Sequence, residues 1–298
     1  MRPFAPATSG HGAGRRRART QQVAYLGPGL LYLAVFLAVP LALIVIYAFM
    51  QRGRFGGIVY EPTLRNFSRA LDPIFVNVLL DSLVIAGIAT VLALLLGYPT
   101  AYVIASLPHK WRTVALVAVV LPFWTNFLIR TYAWIVLLNS EGPVNQTLTG
   151  SGLIDDPLTL LYTKPAVVAG LLYAYLPLMI LPLYSSIERL DPQLREAATN
   201  LGASPLRAFR DVTLPLTLPG VITGCIFVFV PSLGNFVIPE LLGGGKTVMV
   251  GNLIRDQFLR ARDWPFGSVL ALSVIGFLVG LFLIQAWVTR RVNEGPRK

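Results

Sequence analysis

Val78–Ser106 reads VLLDSLVIAGIATVLALLLGYPTAYVIAS, and its one charged side chain, Asp81, stands about one turn from the start. A bilayer core of roughly 30 Å needs about 20 apolar residues in a helix that rises about 1.5 Å per residue, so this stretch is long enough to cross. Inside lipid every backbone N–H and C=O must be bonded within the protein, and a helix does this within a single segment. The stretch is therefore expected to be a transmembrane α-helix. What kind of fold it belongs to depends on how often the pattern recurs.

Similar runs lie at Val23–Met50, Thr113–Leu138, Pro165–Ile187, Thr213–Glu240 and Phe266–Thr289, which makes about six spans and an all-α polytopic membrane protein. Composition agrees: 55% of the 298 residues are hydrophobic and 13% charged, against about a quarter charged in soluble domains. The first run is too long for a cleavable signal core of about 7–15 residues and is expected to stay as a helix. Residues 1–22, rich in Arg, Ala, Gly and Pro, read as a disordered basic tail. Residues 23–289 read as the membrane domain and 290–298 as a second tail, with no extramembrane stretch long enough for a further domain.

A formal charge of +11 points to nucleic acid only until its distribution is considered. With the N-terminus inside, the termini and the loops 107–112 and 188–212 hold fifteen Lys and Arg, and the loops 51–77, 139–164 and 241–265 hold nine. Basic flanks mark the cytoplasmic side of membrane helices, so both termini are expected in the cytoplasm, and the basic flanks are expected to face lipid head groups rather than nucleic acid. Cys225 is the sole cysteine, and His11 and His109 are far apart. A disulfide framework, a Cys-based metal site and a His-centred catalytic site are thereby excluded. No cofactor is expected.

The loop between the fourth and fifth spans carries the most information. Glu188–Gly220 reads ERLDPQLREAATNLGASPLRAFRDVTLPLTLPG. Leu190, Leu194, Ala197, Ala198 and Leu201 recur at helical spacing, giving one apolar side. Asp191-Pro192 is a helix start with Pro at the first helical position. Gly202 can supply a left-handed C-terminal turn, and Ser204-Pro205 reads as the cap and first turn of a second short helix. An amphipathic helix–turn–helix between two spans needs something to bury its apolar side. That something is either the membrane interface or a partner.

Glu196-Ala197-Ala198, three residues, Gly202, nine residues, Val212, one residue, then Leu214-Pro215 resembles the EAA loop of binding-protein-dependent ABC importer permeases. The resemblance implies the type I importer permease fold, with residues 188–212 as a coupling helix docked on a cytoplasmic ATP-binding subunit. It also implies two copies of that subunit, a second permease chain, a periplasmic substrate-binding protein and a place in the bacterial inner membrane. Pro122–Trp134, PFWTNFLIRTYAW, is similar to the third-span segment of spermidine/putrescine permeases. So is Pro231–Gly245, PSLGNFVIPELLGGG, running on through Gly251-Asn252 to Arg262-Asp263-Trp264-Pro265. The likeness covers most of the chain from Tyr98 onward and implies polyamine transport energised by ATP hydrolysis elsewhere; related members carry other small solutes. Gly245-Lys246-Thr247 imitates the end of a phosphate-binding loop, but its first Gly would fall at Glu240, so no ATP site is expected. A secondary transporter would show inverted repeats, and none is evident.

A polycation's route should offer carboxylates, carbonyls and aromatic faces. Asp81, Trp124, Trp134, Asn235 and Glu240 are the residues expected on it. Asp81 has a competing reading, as the partner of Arg130 in a pair that holds two helices together. Phe123, Phe127, Arg130 and Trp134 fall on one helical stripe, more in keeping with packing than with a ligand surface. In the fifth span Pro231, Gly234 and Asn235 break the backbone pattern, which makes either a gate with Glu240 at its mouth or a simple proline kink. Gly220–Gly224 and Gly276–Gly280 have the spacing of close helix contacts.

Overall fold

The computed structural model describes residues 11–293. The element order is α1 (His11–Ala48), a two-residue hairpin β1 (Gln51–Arg52) and β2 (Ile58–Val59), α2 (Arg65–Ala70), α3 (Pro73–Ser106), α4 (His109–Val120), α5 (Phe127–Leu138), α6 (Pro143–Gly150), α7 (Lys164–Glu188), α8 (Pro192–Asn200), α9 (Pro205–Ala208), α10 (Leu214–Gly234), α11 (Val237–Gly243), α12 (Val250–Leu259) and α13 (Trp264–Asn293). Five helical stretches are long and apolar enough to cross a bilayer: Leu26–Ala48, Pro73–Ser106, Lys164–Glu188, Pro205–Gly234 and Trp264–Trp287. A sixth is formed if the bent pair His109–Trp124 and Phe127–Gly150 counts as one span.

That bend corrects the expectation of an unbroken third span at Thr113–Leu138. α4 tightens into a 3-10 turn at Leu121–Trp124, and the chain turns by 90° before α5. Asn126 starts α5 afresh, its side chain accepting from the N–H groups of Leu128 (2.8 Å) and Ile129 (3.4 Å). A capping side chain satisfies donors that would otherwise be orphaned, so the break costs little even at membrane depth. Two further boundaries differ. α1 begins at His11, so residues 11–22, expected to be disordered, are helical; residues 1–10 and 294–298 lie outside the described residues. α3 begins at Pro73, where Asp72 caps Ile74 N at 2.9 Å, five residues before the expected start.

The core is built by α3, α7 and α10, with α7 at the centre: 56% of its apolar window is buried, against none for α1. Helices in lipid gain little from hydrophobic burial and associate by close packing, for which small residues serve best. Met179, fully buried, fills the space that side chains on Gly97 of α3 and Gly224 of α10 would take. Gly220 lies against Ser186 and the Pro182 carbonyl, so the Gly220–Gly224 pair does draw α10 onto α7. Gly276 and Gly280, expected to do the same, face open space among the described residues. α11 wedges its buried Ile238 and Leu242 against Val167 and Leu171 of α7, while α1 lies along α13.

On the side of the membrane where α1 ends, the hairpin is sewn to the start of α13. Gly57 N donates to Arg262 O (2.9 Å), and Arg52 Nη2 donates to Ala261 O (2.7 Å). Asp263, whose side chain is fully buried, accepts from Arg69 Nη1 at 2.6 Å and caps Phe266 N at 3.2 Å. The Arg69 guanidinium also lies 3.9 Å from the Phe266 ring centre.

Candidate functional site

The chain between α7 and α10 folds as its residue types dictate. Asp191 Oδ1 accepts from Gln193 N at 2.9 Å, with Pro192 opening α8. Gly202 takes φ +84°, a left-handed conformation, and ends the helix. Ser204 Oγ accepts from Arg207 N at 3.3 Å to start α9. The chain then makes one π-helical turn, Phe209–Thr213, and enters α10 without a gap.

No residue of α8 is buried. Glu196 and Ala197 are exposed and Ala198 is half-buried. Leu194 is 48% exposed, Leu201 89% and Leu206 77%, so the apolar side read from the sequence is left uncovered by the chain itself. Glu196, Ala197, Ala198 and Gly202 thus share one projecting helix and its terminal turn. Val212, Leu214 and Pro215 stand apart, in the π turn and the first turn of α10, where Leu214 packs among Tyr98, Ile187 and Phe209 at the membrane-side base.

Beneath α8 lies a cavity of about 360 Å³, bounded by the ends of α3, α7 and α10. In and next to its walls lies a polar network that was not read from the sequence. Arg112 pairs with Glu188 at 2.9 Å and donates from Nη2 to Ala105 O at 2.8 Å. Arg195 Nη1 donates to Tyr102 Oη. Tyr98 and Thr217 share a buried hydroxyl–hydroxyl hydrogen bond of 2.8 Å. Tyr98, Tyr102 and Ser106 stand four residues apart on α3, so one polar stripe near its end was visible in the sequence; the partners across space were not.

The residues expected along a solute route do not converge. Asp81 pairs with Lys164 at 2.8 Å, both about half exposed, at the neighbouring ends of α3 and α7. This corrects the expected Asp81–Arg130 pair. Lys164 opens α7 beside Asp81, whereas Arg130 lies beyond the bend, where its guanidinium stands 5.6 Å from the Phe123 ring centre and 5.9 Å from those of Phe127 and Tyr173. Its Nε and Nη1 are buried without a hydrogen-bond acceptor among the described residues. Aromatic faces, each worth about 0.5–2 kcal/mol to a cation, take the place of the expected carboxylate. The stripe containing Phe123, Phe127, Arg130 and Trp134 is therefore not carried on one helix, though the rings still gather round Arg130. Trp134 packs edge-on against Tyr173, and Trp124 is 79% exposed.

The fifth span breaks where Asn235 was read to break it. Asn235, nearly buried, donates from Nδ2 to Tyr175 Oη at 2.7 Å and accepts from Ile238 N at 2.9 Å, capping α11. Glu240, expected inside that span, instead lies on α11 beyond the break. It accepts from Arg255 Nη2 at 2.9 Å, Arg260 Nη2 at 3.1 Å and Asn252 Nδ2 at 3.3 Å. The Arg255 hydrogen bond and charge, with Arg260 behind them, hold the Glu240 carboxyl below its ordinary range.

Residues 95–294 match the family of the binding-protein-dependent transport system inner membrane component. The chain is 43% identical over 261 residues to the spermidine/putrescine transport system permease protein PotB of Escherichia coli (strain K12), covering 88% of this chain and 94% of that one. It is 40% identical over 263 residues to the protein of the same name from Haemophilus influenzae, covering 88% and 92%. In fold it is similar to a chain of the bacterial alginate ABC transporter solved with alginate pentasaccharide-bound periplasmic protein: TM-score 0.71, 20% identity, 93% of this chain and 96% of that one. A capped helix projecting between the fourth and fifth spans, a family match over two hundred residues and relatives aligned nearly end to end agree: this chain belongs to the inner-membrane permease components of binding-protein-dependent ABC importers.

Proposed function

We propose that the chain is one of two permease subunits of an importer that takes up a polyamine such as spermidine or putrescine. In this reading a periplasmic binding protein delivers the solute, and two copies of a cytoplasmic ATP-binding subunit supply the energy. Both termini and α8 lie on the cytoplasmic side. The observation that carries the coupling role is the uncovered apolar side of α8, offered on a capped and terminated helix. Glu196 is placed to pair with a basic group of the ATPase; Ala197 and Ala198 let the two surfaces approach closely. Closure of the ATPase pair then moves a docked element as a rigid body. The polyamine assignment is supported by the identity to the PotB proteins.

Co-expression with a second permease chain and an ATP-binding subunit from the same organism tests this directly. An ATP-binding subunit is expected to purify with the chain, and vesicles loaded with ATP are expected to accumulate radiolabelled spermidine. Uptake driven by an ion gradient through the chain alone would overturn it.

Asp81, Trp124, Trp134, Asn235 and Glu240 remain the proposed route, strung along it rather than gathered at one site, with Glu240 at its outer mouth. Glu240→Gln would leave Arg255 and Arg260 at the mouth with Asp256 as their remaining shared carboxylate, and spermidine uptake is expected to fall several-fold while the ATPase still co-purifies. The depressed carboxyl sets the pH behaviour. A carboxylate whose pKa is lowered in the folded state stabilises it fully above the ordinary carboxylate value, and loses that contribution as pH falls through the lowered one. The Glu240–Arg255–Arg260 cluster is therefore expected to hold unchanged between about pH 5 and 8, and uptake should show no titration from Glu240 there. Unchanged uptake in Glu240→Gln would remove it from the route.

A further inference from the structure

α8 is a nine-residue helix with no buried side chain, so packing does not fix it to the membrane domain. A three-residue link, 189–191, joins it to α7, and its C-terminal connection is the looser one. On one side lies the turn at Gly202, where the backbone is left-handed and nothing stands within 4 Å of a Cβ position. Beyond it comes the π-helical turn Phe209–Thr213, a geometry rare outside single turns and frequent at functional sites. The cavity of about 360 Å³ beneath α8 leaves room for it to shift. Among the described residues, one side-chain hydrogen bond crosses from α8 to a membrane span: Arg195 to the Tyr102 hydroxyl.

The other end of that bond is anchored. Ala105, three residues after Tyr102 on α3, accepts from Arg112, which also holds Glu188 at the end of α7. Tyr98, four residues before Tyr102, is bonded to Thr217 of α10 at 2.8 Å and meets Phe209 edge-on. Force delivered at Tyr102 thus enters a block that ties α3 to α4, α7 and α10.

We propose that the Arg195–Tyr102 hydrogen bond is the strut that passes movement of α8 into α3, making Arg195 and Tyr102 positioning residues for transport. The inference rests on the reading of α8 as the element that meets the ATPase. It bypasses the flexible chain path: α8 can tilt about Gly202 and the π turn, and the strut converts that tilt into a pull on the cross-linked ends of the spans. The bond needs no burial to do this, only a fixed length between two elements that otherwise slide.

The test uses the full complex in liposomes, with spermidine uptake and ATP hydrolysis measured together. In Tyr102→Phe the ring stays and only the hydroxyl goes; Arg195→Gln removes the charged donor, and Arg195→Lys keeps a cationic one. Transport per ATP hydrolysed is expected to fall about 3- to 10-fold in Tyr102→Phe and Arg195→Gln, the range set by the net worth of one solvent-exposed hydrogen bond. The double variant should be no worse than either single one, and Arg195→Lys should retain most of the wild-type ratio. An unchanged ratio in both single variants, or additive losses in the double, overturns the strut while the ATPase remains bound. Failure of the ATPase to co-purify with the wild-type chain overturns the coupling role of α8 and the strut with it.

Discussion

Gly202→Val is expected to cut spermidine uptake about tenfold or more while leaving the amount of chain in the membrane unchanged. The reason is backbone conformation rather than space. Gly202 sits at φ +84° with nothing within 4 Å of where a Cβ would stand. An L-residue in that region pays roughly 1–2 kcal/mol, and a β-branched one is a clear outlier there. The turn between α8 and α9 would relax toward an ordinary conformation and swing the uncovered Leu194, Ala197 and Leu201 away from their present face. The folded core does not involve Gly202, so the cost falls on the turn and insertion is untouched. Gly202→Asn supplies the control: Asn tolerates the left-handed region, and uptake should return to near the wild-type rate. Loss of uptake in both variants would trace the defect to the side chain and not to the turn.

The second large effect is on stability. Arg69→Ala is expected to destabilise the chain by about 3 kcal/mol, the low end for breaking a buried ion pair by removing one partner. Asp263 is wholly buried, and without Arg69 its nearest cation is Arg52 at 4.0 Å. The Arg69 side chain is itself 43% exposed, which is why the low end applies. Asp263→Asn should cost less, about 1 kcal/mol, because the amide oxygen can still accept from Phe266 N and no buried charge is stranded. Thermal unfolding in detergent checks the order, and an Asp263→Asn loss exceeding that of Arg69→Ala would contradict it. The same lesion should loosen the hairpin at residues 51–59, whose docking on Ala261 and Arg262 surrounds the pair.

Much of the fold could be read from local chemistry. Asp72-Pro73, Asp191-Pro192 and Ser204-Pro205 each place a capping oxygen before a proline, and each starts a helix. Gly202 was legible as a left-handed stop because glycine suits that position best. Apolar length identified the spans other than the third, with the fifth ending at Gly234 rather than Glu240. It failed at the third because Thr125-Asn126 interrupts the run with side chains small enough to pass as tolerated polarity, and only the capping of Leu128 and Ile129 reveals a new helix start. Charge pairing failed for a different reason. Asp81 and Arg130 are the conspicuous ionisable residues within the second and third runs, yet the bend carries Arg130 to the Phe123, Phe127 and Tyr173 rings and leaves Asp81 to Lys164. The polar stripe Tyr98–Tyr102 was visible, but its partners Thr217 and Arg195 lie about a hundred residues away, beyond any periodicity.

The π turn at Phe209–Thr213 also bears on how chain length can vary between relatives. Such a turn holds one residue more than an α-helical turn of the same rise. Deleting a residue from the first turn of α10, before Thr217, would rotate everything beyond it by about 100°, taking Thr217 off Tyr98. Deleted from the π turn, the surplus is absorbed as the turn tightens to α, and the helix on either side keeps its facing. In the continuous helix from Pro205 onward, this is the place where loss of one residue leaves the span's orientation intact.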